Sequence, residues 1–350
     1  MMKSILLLIT LLAHYHVNTQ PTTPAEIVQE LGNRYPKNTQ IAIAIIKGKQ
    51  VDYHGFIHQD SSYQVIDNQH SVFEIGSITK VFTSTLLAQA IIDQKVKPQQ
   101  QLQPLIPFKL KGRPKITLQQ LSNHTSGLPR LPENMFLVMA QNAQNPYKQY
   151  DEALLKEFAT KELDVERKRP LAFAYSNLGA GMLGYALSKA YKKTYEQLLK
   201  EFVFKPFGLT NSYTTIQQVP EEKLVKGLDI TGAVVPNWEW DVLAPAGCML
   251  SSVQDLARFI LANISSDHPV LERQQQPSFQ HSETMHLALG WFIIKEKKKE
   301  YYFHNGGTGG YTSALFFNKE HQEAVIILSN VPPNSPHRGR IEQMARMMLP

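Results

Sequence analysis

Ser77 and Lys80 are the residues whose types and spacing point most directly to chemistry. They lie in Phe73-Glu-Ile-Gly-Ser-Ile-Thr-Lys80, ahead of an apolar run from Val81 to Ile92 broken only by Thr83, Ser84, Thr85 and Gln89. That run holds no proline or glycine, so it predicts a buried helix. Gly76 gives the chain freedom just before the helix, and Ser77 falls where the helix should begin. Lys80, three positions on, then stacks over Ser77 one turn away on the same face. A serine hydroxyl needs a base to become a nucleophile. A lysine amine can serve if a dry site lowers its pKa. The helix N-terminus adds N–H groups and a positive field for a developing oxyanion.

Two further stretches could complete such a site. Tyr175-Ser-Asn177 precedes a helical pattern from Leu178, so a loop can present Tyr175 to a cleft. A phenol titrates near pH 10, at about 10 in model compounds. Beside one or two ammonium groups it can fall, which would make Tyr175 a second base toward Ser77. Asn177 offers a donor and an acceptor, suited to reading a substrate amide. The plainer alternative has Ser176 or Asn177 capping the helix and Tyr175 packed in the core. The third stretch is His304-Asn-Gly-Gly-Thr-Gly-Gly310, which follows a strand pattern. Its glycines let backbone pass close to a ligand, and Gly306 and Gly307 could lie along an extended substrate. The N–H of Gly307 is a candidate oxyanion donor beside that of Ser77. A phosphate loop is excluded, because no Gly-Lys-Ser/Thr follows and the segment leads into a strand.

The elements that must position these groups divide along the chain. Gln40–Ile46 and Val51–Ile57 read as a hairpin, followed by a polar loop over Gln59–His70. Helices are expected at Ile116–Leu121, Tyr150–Lys161, Leu178–Tyr191, Tyr195–Phe204 and Val253–Ala262, the last capped by Ser251 or Ser252. Strands return at Leu287–Ile294 and Glu300–Phe303 around a charged tip at Lys295–Lys299, then at Tyr311–Phe317 and Glu323–Ser329. Ile341–Met348 reads as a terminal helix. Strands at both ends and helices between them predict an α+β fold: one antiparallel sheet built from both termini, flanked by helices, with a mainly helical insertion. The expected division is 25–75 with 240–350 for the sheet domain and 76–239 for the helical one.

Composition narrows the function classes. The formal net charge of +6 on 350 residues is a modest basic bias, compatible with anionic partners such as cell-wall polymers. The lysines are scattered and no nucleic-acid motif is present, which argues against DNA or RNA binding. Met1-Met-Lys followed by an uncharged apolar Ser4–Ala13 has the layout of a secretory signal, assigned to residues 1–19, and is too short to span a bilayer. The single cysteine, Cys248, cannot form an internal disulfide and sits in a small apolar run, so it reads as a buried, inert thiol. Together these features suggest export to a bacterial periplasm. The 12 histidines are scattered, and His281 with His286 lacks a third ligand, so neither a metal nor another cofactor is expected.

With Ser77-x-x-Lys80, Tyr175-x-Asn177 and His304-x-Gly306 in that order, the chain resembles the class C β-lactamases and serine penicillin-recognising peptidases. Asn123-His-Thr-Ser-Gly-Leu-Pro129, and Ala246-Gly through Asp255-Leu-Ala-Arg-Phe259, also match, so the likeness runs from about Ile27 to Asn330. The resemblance implies ping-pong acyl transfer: Ser77 attacks a carbonyl, Lys80 and Tyr175 share the proton work, and water releases the acyl-enzyme. It implies a β-lactam, a D-amino-acid peptide of the peptidoglycan type or an ester as substrate, or a penicillin-binding sensor that turns over slowly. One departure stands out. True class C enzymes carry Lys-Thr-Gly in the third box, whereas this chain has His304-Asn305-Gly306. A histidine is mostly neutral at pH 7, so the third box is expected to contribute little positive charge opposite a substrate carboxylate.

Overall fold

The computed structural model describes residues 22–165, 172–265, 267–296, 298–333 and 339–350. The segment read as a secretory signal lies outside them. The strands are β1 (Gln40–Lys47), β2 (Gln50–Gln59), β3 (Ser62–Val65), β4 (Val72–Glu74), β5 (Leu250–Ser252), β6 (Phe279–Gln280), β7 (Met285–Leu287), β8 (Phe292–Glu296), β9 (Lys299–Gly307), β10 (Thr312–Asn318) and β11 (Glu323–Ser329). Nine of them form one antiparallel sheet in the order β3-β2-β1-β11-β10-β9-β8-β7-β6. The two chain ends meet at its centre, where β1 pairs with β11 from Ile41↔Ser329 to Lys47↔Glu323. The α+β arrangement read from the sequence is therefore the one observed. Among the described residues, 76–239 contribute no strand to this sheet.

The sequence of β1 explains its central place. Ile41, Ile43 and Ile45 bury on one face with Phe316, Val325 and Ile327, under the helices Pro24–Gly32 and Arg340–Met348. Ala42, Ala44 and Ile46 bury on the other with Ile326 and Leu328, against the helix Val253–Ile264. A strand covered on both faces reads as a continuous apolar run, which is what Ile41–Ile46 is.

The helix Thr79–Ile92 buries eleven of its fourteen residues. A helix surrounded on all sides needs no polar stripe. Its hydroxyls find partners inside: Thr83 donates to Pro245 O at 2.7 Å, and Thr85 donates to Gln274 Oε1 at 2.9 Å. Buried polar groups paired in this way escape the desolvation cost of an orphan.

Several expectations need correction. Gln59–His70 is not all loop, because β3 pairs with β2 from Phe56↔Val65 to Gln59↔Ser62. An edge strand is held by backbone bonds, so its side chains can be exposed and carry no alternation. Leu287–Ile294 is not one strand. The chain turns at Gly290 (φ +73°), where a Cβ would lie 2.7 Å from Ser84 Oγ and 2.9 Å from Lys80 O. The helix expected at Tyr150–Lys161 starts only at Glu152, capped by Asp151, and widens into a π turn over Phe158–Glu162. The helix Pro24–Gly32 was not anticipated, although Thr23 and Glu26 form a reciprocal capping box and Pro24 occupies its first position.

Candidate active site

β4 delivers the chain to Ser77. It pairs with β5, and Ile75 N donates to Met249 O at 3.0 Å, which fixes the approach. Gly76 has φ +50°, a left-handed conformation that glycine adopts at no steric cost. A short 3-10 turn, Gly76–Ile78, then places partly exposed Ser77 just before the helix from Thr79. Lys80 Nζ lies 2.9 Å from Ser77 Oγ and donates to Ala246 O at 2.6 Å. Lys80 is only 2% exposed. That burial, reinforced by the charge of Arg130, holds its pKa well below the ordinary lysine value. That shift favours the neutral amine, whose lone pair can face the serine hydroxyl.

Tyr175 is held by the turn it belongs to. Ser176 caps the helix Asn177–Tyr191, accepting from Gly179 N at 2.8 Å and donating to Pro129 O at 2.6 Å. Ser176 N donates to His124 Nδ1 at 3.2 Å, and the His124 ring lies 4.4 Å from that of Tyr175. The Tyr175 hydroxyl is hydrogen-bonded to Ser77, and Lys80 Nζ stands 4.9 Å from the ring centroid. Here a sequence expectation fails. The phenol pKa is raised, not lowered, because desolvation outweighs the opposing pull of the Ser77 bond and of Arg130. Tyr175 is thus held as a protonated phenol.

Asn177 is buried. Its Nδ2 donates to Tyr147 Oη at 2.9 Å and its Oδ1 has no partner. The Tyr147 ring stacks on Trp240 at 3.8 Å and lies 5.4 Å from Trp238, so an aromatic group backs this side of the site.

β9 lies against the Ser77 turn. A Cβ on Gly306 would sit 2.0 Å from Ile75 O and 2.9 Å from Ser77 N, so only glycine permits this approach. Ser313 on β10 reinforces the contact, donating to Ile75 O at 3.0 Å. The backbone of Gly307 closes on Gly76: a Cβ on Gly76 would meet Gly307 N at 2.6 Å. His304 does not line the cleft. It is 1% exposed, its Nδ1 is 2.7 Å from Asn305 O, and burial, with the neighbouring Lys80 as the lesser cause, pushes its pKa down to about 3. It is therefore neutral across the physiological range.

Ser77, Tyr175, Gly306 and Gly307 share a cleft of about 620 Å³, together with Arg130 and Phe292. Arg130 and Phe292 were not singled out in the sequence. His124 was visible only as part of a turn motif, since nothing in its spacing reveals the ring contact with Tyr175. Glu74, just before the turn, is also buried. Asn237 Nδ2 and Trp238 N donate to its Oε1 at 2.7 and 2.9 Å, yet burial still lifts its pKa to about 7. Cys248 is buried, and desolvation pushes its thiol pKa up, so it is not a reactive thiolate. Among the described residues, no group of three or more His, Cys, Asp or Glu side chains is placed to share a metal ion.

This geometry agrees with the comparisons to known proteins. A family model described as Beta-lactamase matches residues 28–346. The chain belongs to the β-lactamase family. It is 27% identical over 230 residues to a β-lactamase of Providencia stuartii, covering 65% of this chain and 56% of that protein. It is also 27% identical over 265 residues to the D-alanyl-D-alanine-carboxypeptidase/endopeptidase AmpH of Escherichia coli, covering 71% of this chain and 65% of that one. The chain thus matches rather more than half the length of these relatives. A solved β-lactamase/D-alanine carboxypeptidase from Yersinia pestis shares the fold with a TM-score of 0.75 at 21% identity, covering 93% of this chain and 97% of that one. An octameric penicillin-binding protein homologue from Pyrococcus abyssi gives 0.73 at 22% identity, covering 91% and 74%. Among the described residues, no helix is long and apolar enough to cross a membrane.

Proposed function

We propose that the protein is an exported serine hydrolase that forms an acyl-enzyme at Ser77 and acts on a D-amino-acid peptide, a β-lactam or an ester. The observation that carries this reading is the desolvated Lys80 amine 2.9 Å behind the hydroxyl of Ser77, a residue that lines the cleft. The Ser77 Oγ–H proton passes to the Lys80 lone pair as Oγ bonds to the substrate carbonyl carbon. The carbonyl oxygen gains the electron pair and lies toward the N–H groups of Ser77 and Gly307. The tetrahedral species collapses, the carbonyl–nitrogen or carbonyl–oxygen bond breaks, and the leaving group takes a proton relayed through Tyr175. Water then attacks the Ser77 ester, giving a proton to Lys80; the carbonyl–Oγ bond breaks, Ser77 Oγ takes that proton back from Lys80, and the acid is released. In this reading the Gly306–Gly307 backbone runs along the acyl chain, and the Oδ1 of Asn177, buried and unpartnered behind the cleft, accepts a substrate amide N–H. Residues 76–239 act as the domain that supplies Tyr175 and Asn177, and residues 25–75 with 240–350 supply Ser77's approach and the third box. Export to a bacterial periplasm is supported by the basic start and apolar stretch of the N-terminal segment.

The test is a substrate profile of wild type and Ser77→Ala on nitrocefin, a D-Ala-D-Ala peptide and a p-nitrophenyl ester. Turnover of at least one class should be present in wild type and lost in the variant. Equal turnover by both proteins would remove Ser77 from the mechanism. A wild-type adduct that forms but persists for hours would favour the slow penicillin-binding sensor instead.

A further inference from the structure

Arg130 is an exposed residue on the wall of the cleft that holds Ser77. Its backbone is pinned, because Arg130 O accepts the N–H groups of Asn177 at 2.9 Å and Leu178 at 3.2 Å. The base of its side chain is therefore anchored to the start of the helix that follows Tyr175. Its guanidinium carbon lies 5.2 Å from the centroid of the Tyr175 ring. A stacked guanidinium is held in orientation by the ring and keeps its edge N–H groups free to bind.

Among the described residues, the other charges around the cleft leave this one unmatched. Among the described residues no carboxylate forms an ion pair with Arg130. Glu342 also lines the cleft, but it is engaged by Asn305 Nδ2 at 3.2 Å and by Arg346. Lys80 and His304 are buried behind the cleft wall and do not line it. Among the described residues, Arg130 is thus the cationic side chain that lines the cleft with Ser77.

We propose that Arg130 is a specificity residue that receives a carboxylate on the substrate, supplying the positive charge that the third box of this chain lacks. The inference rests on the reading of Ser77 as nucleophile. The substrate class is an acyl donor with a carboxylate near the scissile carbonyl, such as the terminal carboxylate of a D-amino-acid peptide or that of a bicyclic β-lactam. A planar guanidinium binds such a group through two parallel N–H···O bonds.

The experiment separates binding from turnover. Benzylpenicillin and its methyl ester are titrated by calorimetry into Ser77→Ala, Ser77→Ala/Arg130→Gln and Ser77→Ala/Arg130→Lys. The account predicts that Arg130→Gln weakens the carboxylate ligand by about tenfold to a hundredfold. The methyl ester should change by less than about twofold, and Arg130→Lys should fall between, since a point charge replaces a fork. The preference for the carboxylate should also shrink as salt is raised. Equal weakening of both ligands would assign Arg130 only to support of Tyr175 and overturn the proposal. So would an unchanged carboxylate affinity, or no binding of either ligand to the Ser77→Ala protein. Labelling of wild-type Ser77 by a fluorophosphonate tests the nucleophile separately, so the two failures are distinguishable.

Discussion

At the scale of single residues, protonation decides the roles. In the proposed mechanism Lys80 is the base, since burial disfavours its ammonium and Arg130 adds repulsion. Tyr175 is not, because the same desolvation keeps its phenol protonated. Lys80→Met replaces the amine with an apolar chain of similar length in a buried site. It should leave the fold intact and slow acylation of Ser77 by about a hundredfold to ten-thousandfold, measured by stopped flow. The amine must be deprotonated to act, so kcat/KM of wild type should rise with pH through an acid limb placed below the ordinary lysine range. That limb should vanish in the variant. An unchanged rate, or a limb that survives, would move the base elsewhere. The pairing of Ser77 with Lys80 was legible from their three-residue spacing ahead of an apolar helix. The protonation of Tyr175 was not, because it depends on His124, Phe292 and Arg130, which arrive from distant segments.

At the scale of elements, β4 joins the Ser77 turn to the Asn237–Trp238 loop through one carboxyl. Glu74 has its pKa raised from 4.5 to about 7, chiefly by burial. Below about pH 4.5 both folded and unfolded chains carry the proton, and between there and about 7 only the folded chain keeps it. The folded state then binds more protons, so Glu74's contribution to stability is fully present below the unfolded pKa and is lost as pH rises through about 7. Glu74→Gln keeps an oxygen for Asn237 and Trp238 but has nothing to titrate. In urea unfolding, wild type should lose about 3 kcal/mol relative to the variant between pH 4 and pH 8. Parallel pH–stability curves would contradict this. The elements themselves were legible where length or periodicity was strong, as in β1, β11 and the helix Thr79–Ile92. They were missed where tertiary contact outweighed pattern. Gly290 breaks a strand because it must pass Ser84 and Lys80 O, and β3 is held at the sheet edge by backbone bonds.

At the scale of the whole molecule, the fold closes a loop in sequence to make the site. Ser313 on β10 donates to Ile75 O, and Lys80 reaches Ala246 O, so the Ser77 turn is braced from the C-terminal half of the chain. Strands at both ends and helices between them made this closure readable in advance. The wall of the cleft was not readable, since Arg130 and Phe292 acquire their places only when the Tyr175 loop folds over the turn. The central claim is that Ser77 carries a covalent acyl group during turnover. The most direct measurement is the mass of the acid-quenched protein after brief mixing with benzylpenicillin, followed by peptide mapping. The account predicts a mass gain of one acyl group on the peptide that contains Ser77, and none in Ser77→Ala. A wild-type adduct mapped to another residue, or the same adduct on the variant, would contradict it.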